Sequence, residues 1–403
     1  MITALLLTTY AVINIYTAVQ TDFWLRRCFQ NDTGRIKRIA FYIVYVLLAL
    51  LPVSGAYLPD DQLKTQLAAA GNLWLGFYIY FTGFLLIAQI LRLLIRLASR
   101  GRCSGLPRHW AWVALPLMVF LTVSLNLYGI LNAQDIYTAN YKVTINKDAG
   151  SVKHMRVLLV ADFHLGSNSD PSLYRSMVAK INAQKPDLVL VGGDIFNSTY
   201  SSLKDPQVYS DILSGIESKY GVYAVYGNHD VEETLFGGFA ITNSSHSYRN
   251  PKVTGFLKDC GFKILDDRTV SIAGGNVILA GRRDGEKAGD GTADRASIQS
   301  LILGRDTTRP VFVLEHEPMD FANIYDTGAD FVFSGHTHDG QIFPGNLAVK
   351  LLSQNPYGIR VIDGVTSLVT SGVGYYGPPM RVGTHSEIAV IDFTFKLTVR
   401  KGN

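Results

Sequence analysis

Charge is scarce in this chain. Only 17% of its 403 residues are Asp, Glu, Lys or Arg, against 48% hydrophobic, a low charged fraction for a protein that folds in water. The deficit is local. Residues 1–140 carry long apolar runs with eleven Lys and Arg against five Asp, a balance of +6, while the remainder carries 26 against 28, so the basic excess behind the net +4 belongs to the apolar part. Cysteine is scarcer still. Cys28, Cys103 and Cys260 are too few and too scattered for a disulfide framework or a thiolate metal site, and are expected as unpaired thiols. The ordinary globular part has no basic run interleaved with aromatics, so no nucleic-acid partner is expected. Internal repeats and low-complexity segments are also missing.

What is there begins with four apolar segments, at about 2–19, 39–57, 73–91 and 111–131. Each is long enough to cross a bilayer, which takes about 20 helical residues. The expectation is an all-α, four-span transmembrane domain over residues 1–135. No basic residue precedes the first segment and no clean small-residue cleavage site follows it, so it is no standard signal peptide. Asn14, Gln89 and Asn126 fall inside the spans and are expected to hydrogen-bond between helices. These spans hold no carboxylate and no Lys, which argues against a transporter. Arg26, Arg27, Arg35, Lys37 and Arg38 crowd the first loop, and Arg92, Arg96, Arg100, Arg102 and Arg108 the third, whereas the second has only Lys64. Basic residues collect on the cytoplasmic side. Both termini then face outward, placing the rest of the chain on the periplasmic or extracellular face of the cytoplasmic membrane.

After a connector at 136–151, with an edge strand expected at 141–145, residues 152–403 alternate short apolar strands with amphipathic stretches. The pattern predicts an α/β fold, a two-sheet β-sandwich flanked by helices. Asp170-Pro171 opens a helix as N-cap and N1. Further helices are expected near 206–219, 253–260 and 293–303. Gly237-Gly238 and the Ser/Asn-rich 242–248 read as a loop near the site, a candidate substrate lid.

Five apolar runs end in polar side chains. Val157–Ala161 leads to Asp162 and His164, Leu188–Val191 to Asp194, and Val222–Tyr226 to Gly227-Asn228-His229-Asp230. Val311–Leu314 leads to His316, and Phe331–Phe333 to Gly335-His336-Thr337-His338. Carboxylates, an amide and imidazoles at the carboxyl ends of several strands are the pattern of one metal site at one sheet edge. Without thiolates, this donor set suits Mn, Fe or Zn in a catalytic site. It is also too large for one tetrahedral ion. Two ions about 3.5–4 Å apart fit the count, an arrangement that cleaves phosphoesters.

Taken together, Asp162-x-His164, Gly193-Asp194, Gly227-Asn228-His229-Asp230, His316-x-Pro318 and Gly335-His336-Thr337-His338 resemble the calcineurin-like metallophosphoesterase superfamily. Gly221–Asp230, Ser334–Gln341 and Gly374–Arg381 resemble its bacterial YkuE/YaeI-like branch, in which Gly is usual where Asp339 stands here. The resemblance covers about residues 152–396 and not the apolar helices. It implies that Asp162, His164 and His338 bind one metal and Asn228, His316 and His336 a second, with Asp194 bridging. It further implies that metal-activated water attacks phosphorus while His229 protonates the leaving group, its ring oriented by Asp230. Singly, each of these residues has a plainer reading: a buried His as a satisfied core residue, a strand-end Asp as a helix cap. Arg282, Arg283 and Arg381 are open between phosphate contact and surface ion pairs, and Glu315 and Glu317 are expected to be solvated or to support the site from behind.

The expected function is therefore a membrane-integrated phosphoesterase acting on a monoester, diester or pyrophosphate of a lipid-linked or envelope substrate. The competing readings are a cytoplasmic-facing pyrophosphatase for a nucleotide-activated lipid, and a non-catalytic metal-binding scaffold.

Overall fold

The computed structural model describes residues 2–29, 34–57, 62–100, 108–236, 239–240, 247–292 and 294–397. The chain divides into two compact units.

The first unit comprises Met1–Leu131 together with Leu235–Thr242 and Gly377–Met380. It is built on α1 (Ile2–Cys28), α2 (Arg35–Tyr57), α3 (Gln62–Ala98) and α4 (Ala111–Gln134). All four are long and apolar enough to span a membrane. They run further than the hydropathy segments, because helix continues past the last apolar residue for as long as polar side chains face water or pair. Thus α1 carries on through Asp22, a buried carboxylate held by Arg26 at 3.2 Å and Arg38 at 3.1 Å. The absence of an intramembrane carboxylate holds only for the shorter segment.

Of the polar residues expected to bridge helices, Asn14 does so, accepting from Tyr45 Oη at 3.0 Å, beside a Thr17–Thr82 bond of 2.9 Å. Gln89 instead accepts from Arg92, and Asn126 donates to the Thr122 carbonyl, both within their own helices. A polar side chain inside an apolar helix finds the backbone one turn away as its nearest partner. Phe120, Leu47 and Leu127 remain outward-facing and uncovered, as an acyl-chain environment requires. A short hairpin of β5 (Leu235–Phe236) and β6 (Phe239–Ala240) also belongs to this unit, and the Phe236 ring lies 4.9 Å from that of Tyr10. Gly237-Gly238 and residues 242–246 of the expected lid lie outside the described residues.

The second unit holds two six-stranded sheets. The first runs β1 (Ile136–Ile145), β14 (Ser386–Phe395), β2 (His154–Val160), β3 (Leu188–Gly192), β4 (Val222–Val225) and β7 (Lys263–Ile264), with β2, β3, β4 and β7 parallel. The second runs β12 (Gly358–Ile362), β13 (Val365–Val369), β11 (Phe331–Ser334), β10 (Val311–Leu314), β9 (Val277–Gly281) and β8 (Arg268–Ile272). Its four central strands are parallel, and antiparallel β12 and β8 close its edges.

Period-two alternation sorts the side chains. Val157 and Leu159 of β2 and Leu188 and Leu190 of β3 meet Phe312, Leu314, Phe331 and Phe333 between the sheets. Leu158, Val160, Val189 and Val191 face the other way, under α5 (Pro171–Ala183), α6 (Pro206–Leu213) and α7 (Pro251–Asp259). Val311 and Val313 lie under the short α8 (Ile298–Ile302) and α9 (Phe321–Tyr325). Strands covered on both faces read as continuous apolar runs, which is how they appear in the sequence. The chain thus folds as two mixed sheets flanked by helices. α10 (Gly345–Leu352) completes the helices.

Three boundaries differ from expectation. β1 starts five residues earlier than the expected edge strand, because all ten of its residues pair with β14 in parallel register. α6 stops at Leu213, short of 219, and α8 spans only five residues. Asp170 caps α5 through Ser172 N, with Pro171 first in the helix.

Candidate metal centre

Parallel strands of both sheets end at one rim, the usual place for ligands in such sheets. β2 delivers Asp162 and His164, β3 Asp194, β4 Asn228 and His229, β10 His316, and β11 His336 and His338. Five of these residues, Asp162, His164, Asp194, His336 and His338, have φ between +48° and +74°. L-residues seldom adopt this left-handed backbone, and it persists only where the surroundings impose it. Cross-strand bonds impose it here. Asp162 N donates to Gly193 O at 2.9 Å, His164 N to Asp194 O at 3.0 Å, and His336 N to Asp162 Oδ1 at 3.1 Å. Gly227 admits the arrangement, since a Cβ there would stand 2.2 Å from Asp194 Oδ1.

The side chains converge. His164 Nε2 and His338 Nε2 are 2.9 Å apart, and His338 Nε2 lies 3.7 Å from Asp162 Oδ1. Asp194 Oδ2 stands between His164 Nε2 at 3.6 Å and His316 Nε2 at 3.2 Å. Asn228 Oδ1 reaches His316 Nε2 at 3.0 Å and His336 Nδ1 at 3.2 Å. All seven residues expected as ligands therefore meet in one cluster. Two groups, Asp162/His164/His338 and Asp162/Asp194/His316, have donor atoms within 4.8 Å of one another. His316 Nδ1 is 2.8 Å from the Gly192 carbonyl, to which it donates, leaving Nε2 aimed at the cluster. A carbonyl behind an imidazole in this way is the usual support of a metal-binding histidine.

The cluster fits divalent metal. Asp162 Oδ2 is buried without a hydrogen-bond partner, a costly state for a carboxylate oxygen unless a cation meets it. Burial pushes the imidazoles of His164 and His336 down to about 3, and that of His338 well below the usual range. They are neutral at pH 7, with lone pairs available. Burial followed by the charge of Asp194 raises Asp162 to about 7. Burial alone would lower His316, but Asp194 and then Asp162 and Asp284 outweigh it and hold the ring protonated. Burial would likewise raise Asp194, and His316, His229 and His164 outweigh it, keeping the carboxyl well below the ordinary range.

A ligand must shed its proton, so metal binding and protons compete. Metal affinity is expected to rise with pH through about 7, where Asp162 and His316 otherwise keep protons. Calorimetric titration in two buffers of different ionisation enthalpy should register at least one proton released per protein at neutral pH. An affinity flat from pH 6 to 8 would contradict it.

The neighbours depart from several expectations. Asp230 does not orient His229, since its two oxygens accept from Phe196 N and Gly227 N, both at 2.8 Å. It holds the strand-end turn, and Ser198 Oγ lies 3.5 Å from His229 Nδ1. Arg282 is buried rather than on the surface, and pairs with Glu315 at 2.8 Å and Asp320 at 3.1 Å. Glu315 is correspondingly unsolvated. Arg283 does form the expected exterior pairs, with Asp266 and Asp290. Arg381, fully buried, donates to the carbonyls of Ser371 and Gly374 at 2.7 and 2.6 Å, and lies 3.4 Å from His338 Nδ1. Sequence reasoning left Arg381 undecided and passed over Ser198. The Gly374–Arg381 stretch was the available signal for the first. Isolated serines carry none.

Asp339 has φ 49° and ψ 29°, a left-handed backbone that glycine adopts without strain. Asp339→Gly should leave stability within about 1 kcal/mol of the parent, because relief of left-handed strain is offset by the chain entropy of glycine, roughly 0.5–1 kcal/mol. Thermal unfolding with metal analysis checks this, and metal loss would assign the carboxylate a role in binding.

Comparison with known proteins agrees with this geometry. Residues 155–340 match the calcineurin-like phosphoesterase family. A transmembrane protein with metallophosphoesterase domain from Danio rerio is 30% identical over 375 residues, covering 86% of this chain and 79% of its own. An uncharacterized metallophosphoesterase of Helicobacter pylori strain J99 is 29% identical, covering 59% and 60%. The uncharacterized metallophosphoesterase YkuE of Bacillus subtilis is 27% identical, covering 60% and 79%.

Proposed function

The chain belongs to the calcineurin-like metallophosphoesterase family, as a metal-dependent phosphoesterase with four membrane-type helices, and from that premise we propose that it hydrolyses a phosphoester or pyrophosphate carried on a lipid or found in the cell envelope. The observation that carries the reading is the Asp194 carboxylate set between His164 and His316. A carboxylate so placed would be shared by two ions. Asp162, His164 and His338 would hold one, Asn228, His316 and His336 the other, and Asp194 both. Divalent ions bound there supply Lewis acidity and a water of lowered pKa. The chain's own residues do the rest.

The neutral imidazoles of His164, His336 and His338 present lone pairs without first losing protons. Gly192 O and the His316 ring keep one donor atom fixed in direction. His229, whose main-chain N–H donates to Asp194 Oδ1 at 2.8 Å, is tied to the bridging position. Its ring, 5.2 Å from that of His164, stands ready to give a proton to the departing oxygen. His229 and His336 are partly exposed while the other six candidates are buried, so a substrate approaches from their side. Four spans exceed what tethering a hydrolase requires, which favours a substrate that is itself in the membrane.

The test combines metal analysis with turnover of a generic aryl phosphodiester by the purified full chain. A metal-loaded protein without turnover on esters or lipid pyrophosphates would leave the scaffold reading in its place.

The basic loops favour an outward-facing catalytic domain. Protease added to intact cells, or to spheroplasts where an outer membrane is present, is expected to remove a tag placed after Asn403. Protection until detergent is added would reverse the orientation and make a nucleotide-activated lipid precursor the leading substrate.

A further inference from the structure

The loop after β9 supplies none of the expected metal ligands, yet it sends a cation to the centre. Asp284 Oδ1 accepts from Glu286 N at 3.0 Å and Lys287 N at 2.8 Å, which pins the backbone of this loop. The side chain of Lys287 is buried, 5% exposed. Its Nζ donates to the Asn228 carbonyl at 3.2 Å and to Glu233 Oε2 at 2.7 Å. Asn228 is the residue whose side chain touches His316 and His336, so the ammonium sits one peptide away from the second expected metal position. An ammonium has three N–H donors. Two have acceptors, and the third has none among the described residues.

A purely structural tie between these loops needs no charge, since a buried ion pair is commonly matched or bettered by apolar packing. A lysine held by one carboxylate and one carbonyl, with a donor left over beside a phosphate-handling centre, answers a different need. Lys287 is also near enough to His229 and His336, the two partly exposed imidazoles, for its charge to lower the pKa of both.

We propose that Lys287 is a catalytic residue, its remaining N–H donating to a non-bridging phosphoryl oxygen of the substrate while Glu233 and the Asn228 carbonyl fix its direction. The inference rests on the phosphoesterase reading. It adds a protein-borne cation on the Asn228 side of a centre whose other fixed cation, Arg381, lies behind His338. A lysine acts there as a point charge on phosphate, and counts most where negative charge gathers on the transferred group.

The test uses the full-length protein in detergent, loaded with Mn, and inorganic phosphate as the probe. Phosphate affinity is read by calorimetry, independently of turnover, and kcat and KM are read with an aryl phosphodiester. Lys287→Met is expected to weaken phosphate binding at least ~10-fold and to lower kcat/KM ~10²-fold, with metal content unchanged. Lys287→Arg should recover most of both. Lys287→Gln keeps a donor for the loop contacts without the charge, and should behave like the Met variant even if that one folds poorly. Phosphate affinity and kcat/KM within twofold of the parent in the Gln variant would overturn the inference. So would metal loss in parallel with activity, which marks a loop tie. Parent protein that binds metal and phosphate but hydrolyses nothing sinks the phosphoesterase reading instead, while the phosphate affinities still decide whether Lys287 contacts the ligand.

Discussion

Asp194→Asn is expected to abolish hydrolysis, by ~10³-fold or more, exceeding what loss of a single stabilising donor costs in other active sites. The substitution preserves size and removes one negative charge from the position where His164 and His316 converge at 3.6 and 3.2 Å. An amide nitrogen turned toward either imidazole would present hydrogens where a lone pair is required. The second oxygen of Asp194 accepts the His229 main-chain N–H, so the turn carrying His229 loosens as well. Metal content should fall by at least one ion per protein. Electrostatics act both ways, because His316 keeps its proton chiefly through Asp194 and would shed it in the variant, but the loss of anionic charge beside the ions outweighs the one lone pair released. Activity assays with elemental analysis on purified protein decide the matter. A variant that keeps both metal and turnover would remove Asp194 from the mechanism proposed here.

His229→Ala should separate chemistry from metal binding. His229 is partly exposed and is not one of the seven residues expected as ligands, so both ions should remain. The rate should fall about 10²–10⁴-fold, the usual contribution of a positioned acid. The size of the loss depends on the leaving group. An aryl oxide departs without a proton, whereas an alkoxide needs one, so the defect should be small for nitrophenyl esters and large for alkyl esters. Burial first, then the charges of Lys287 and His316, lowers the His229 pKa, against the opposing pull of Asp194. The protonated fraction therefore shrinks as pH rises, and turnover of alkyl esters by the parent should decline on the alkaline side of a pKa below the ordinary histidine value. Aryl esters should lack that limb. Equal losses on both ester types would assign His229 a role in binding or structure.

Much of this was legible in the chain. Apolar runs of three to five residues closed by Asp, Asn or His showed strand ends, since β-strands buried on both faces carry no polar alternation to confuse the reading. Four segments of bilayer length stood out by composition alone. The pattern faded where partners lie far apart in sequence. Asp230 adjoins His229 and was expected to steer it, yet its carboxylate is claimed by Phe196 N, 34 residues away. Arg282 and Arg381 look alike in sequence. One ends in a pair with Glu315, the other against the back of His338. Helix length misled in both directions: α3 runs past its apolar segment at both ends, and α6 stops at Leu213, short of 219.

By itself, then, the sequence determined which chemical groups this protein has and at which strand ends they stand, because hydrophobic period and turn residues act locally. The tertiary structure alone decided which of those groups share an atom's neighbourhood. It set Asp194 between two histidines from different elements, turned Asp230 into a backbone clasp and brought Lys287 beneath Asn228. The contacts to His164, His316, Phe196 and Asn228 join residues from 30 to 122 positions apart. They are fixed by strand order and by left-handed backbone held under cross-strand hydrogen bonds, neither of which any single stretch of sequence encodes.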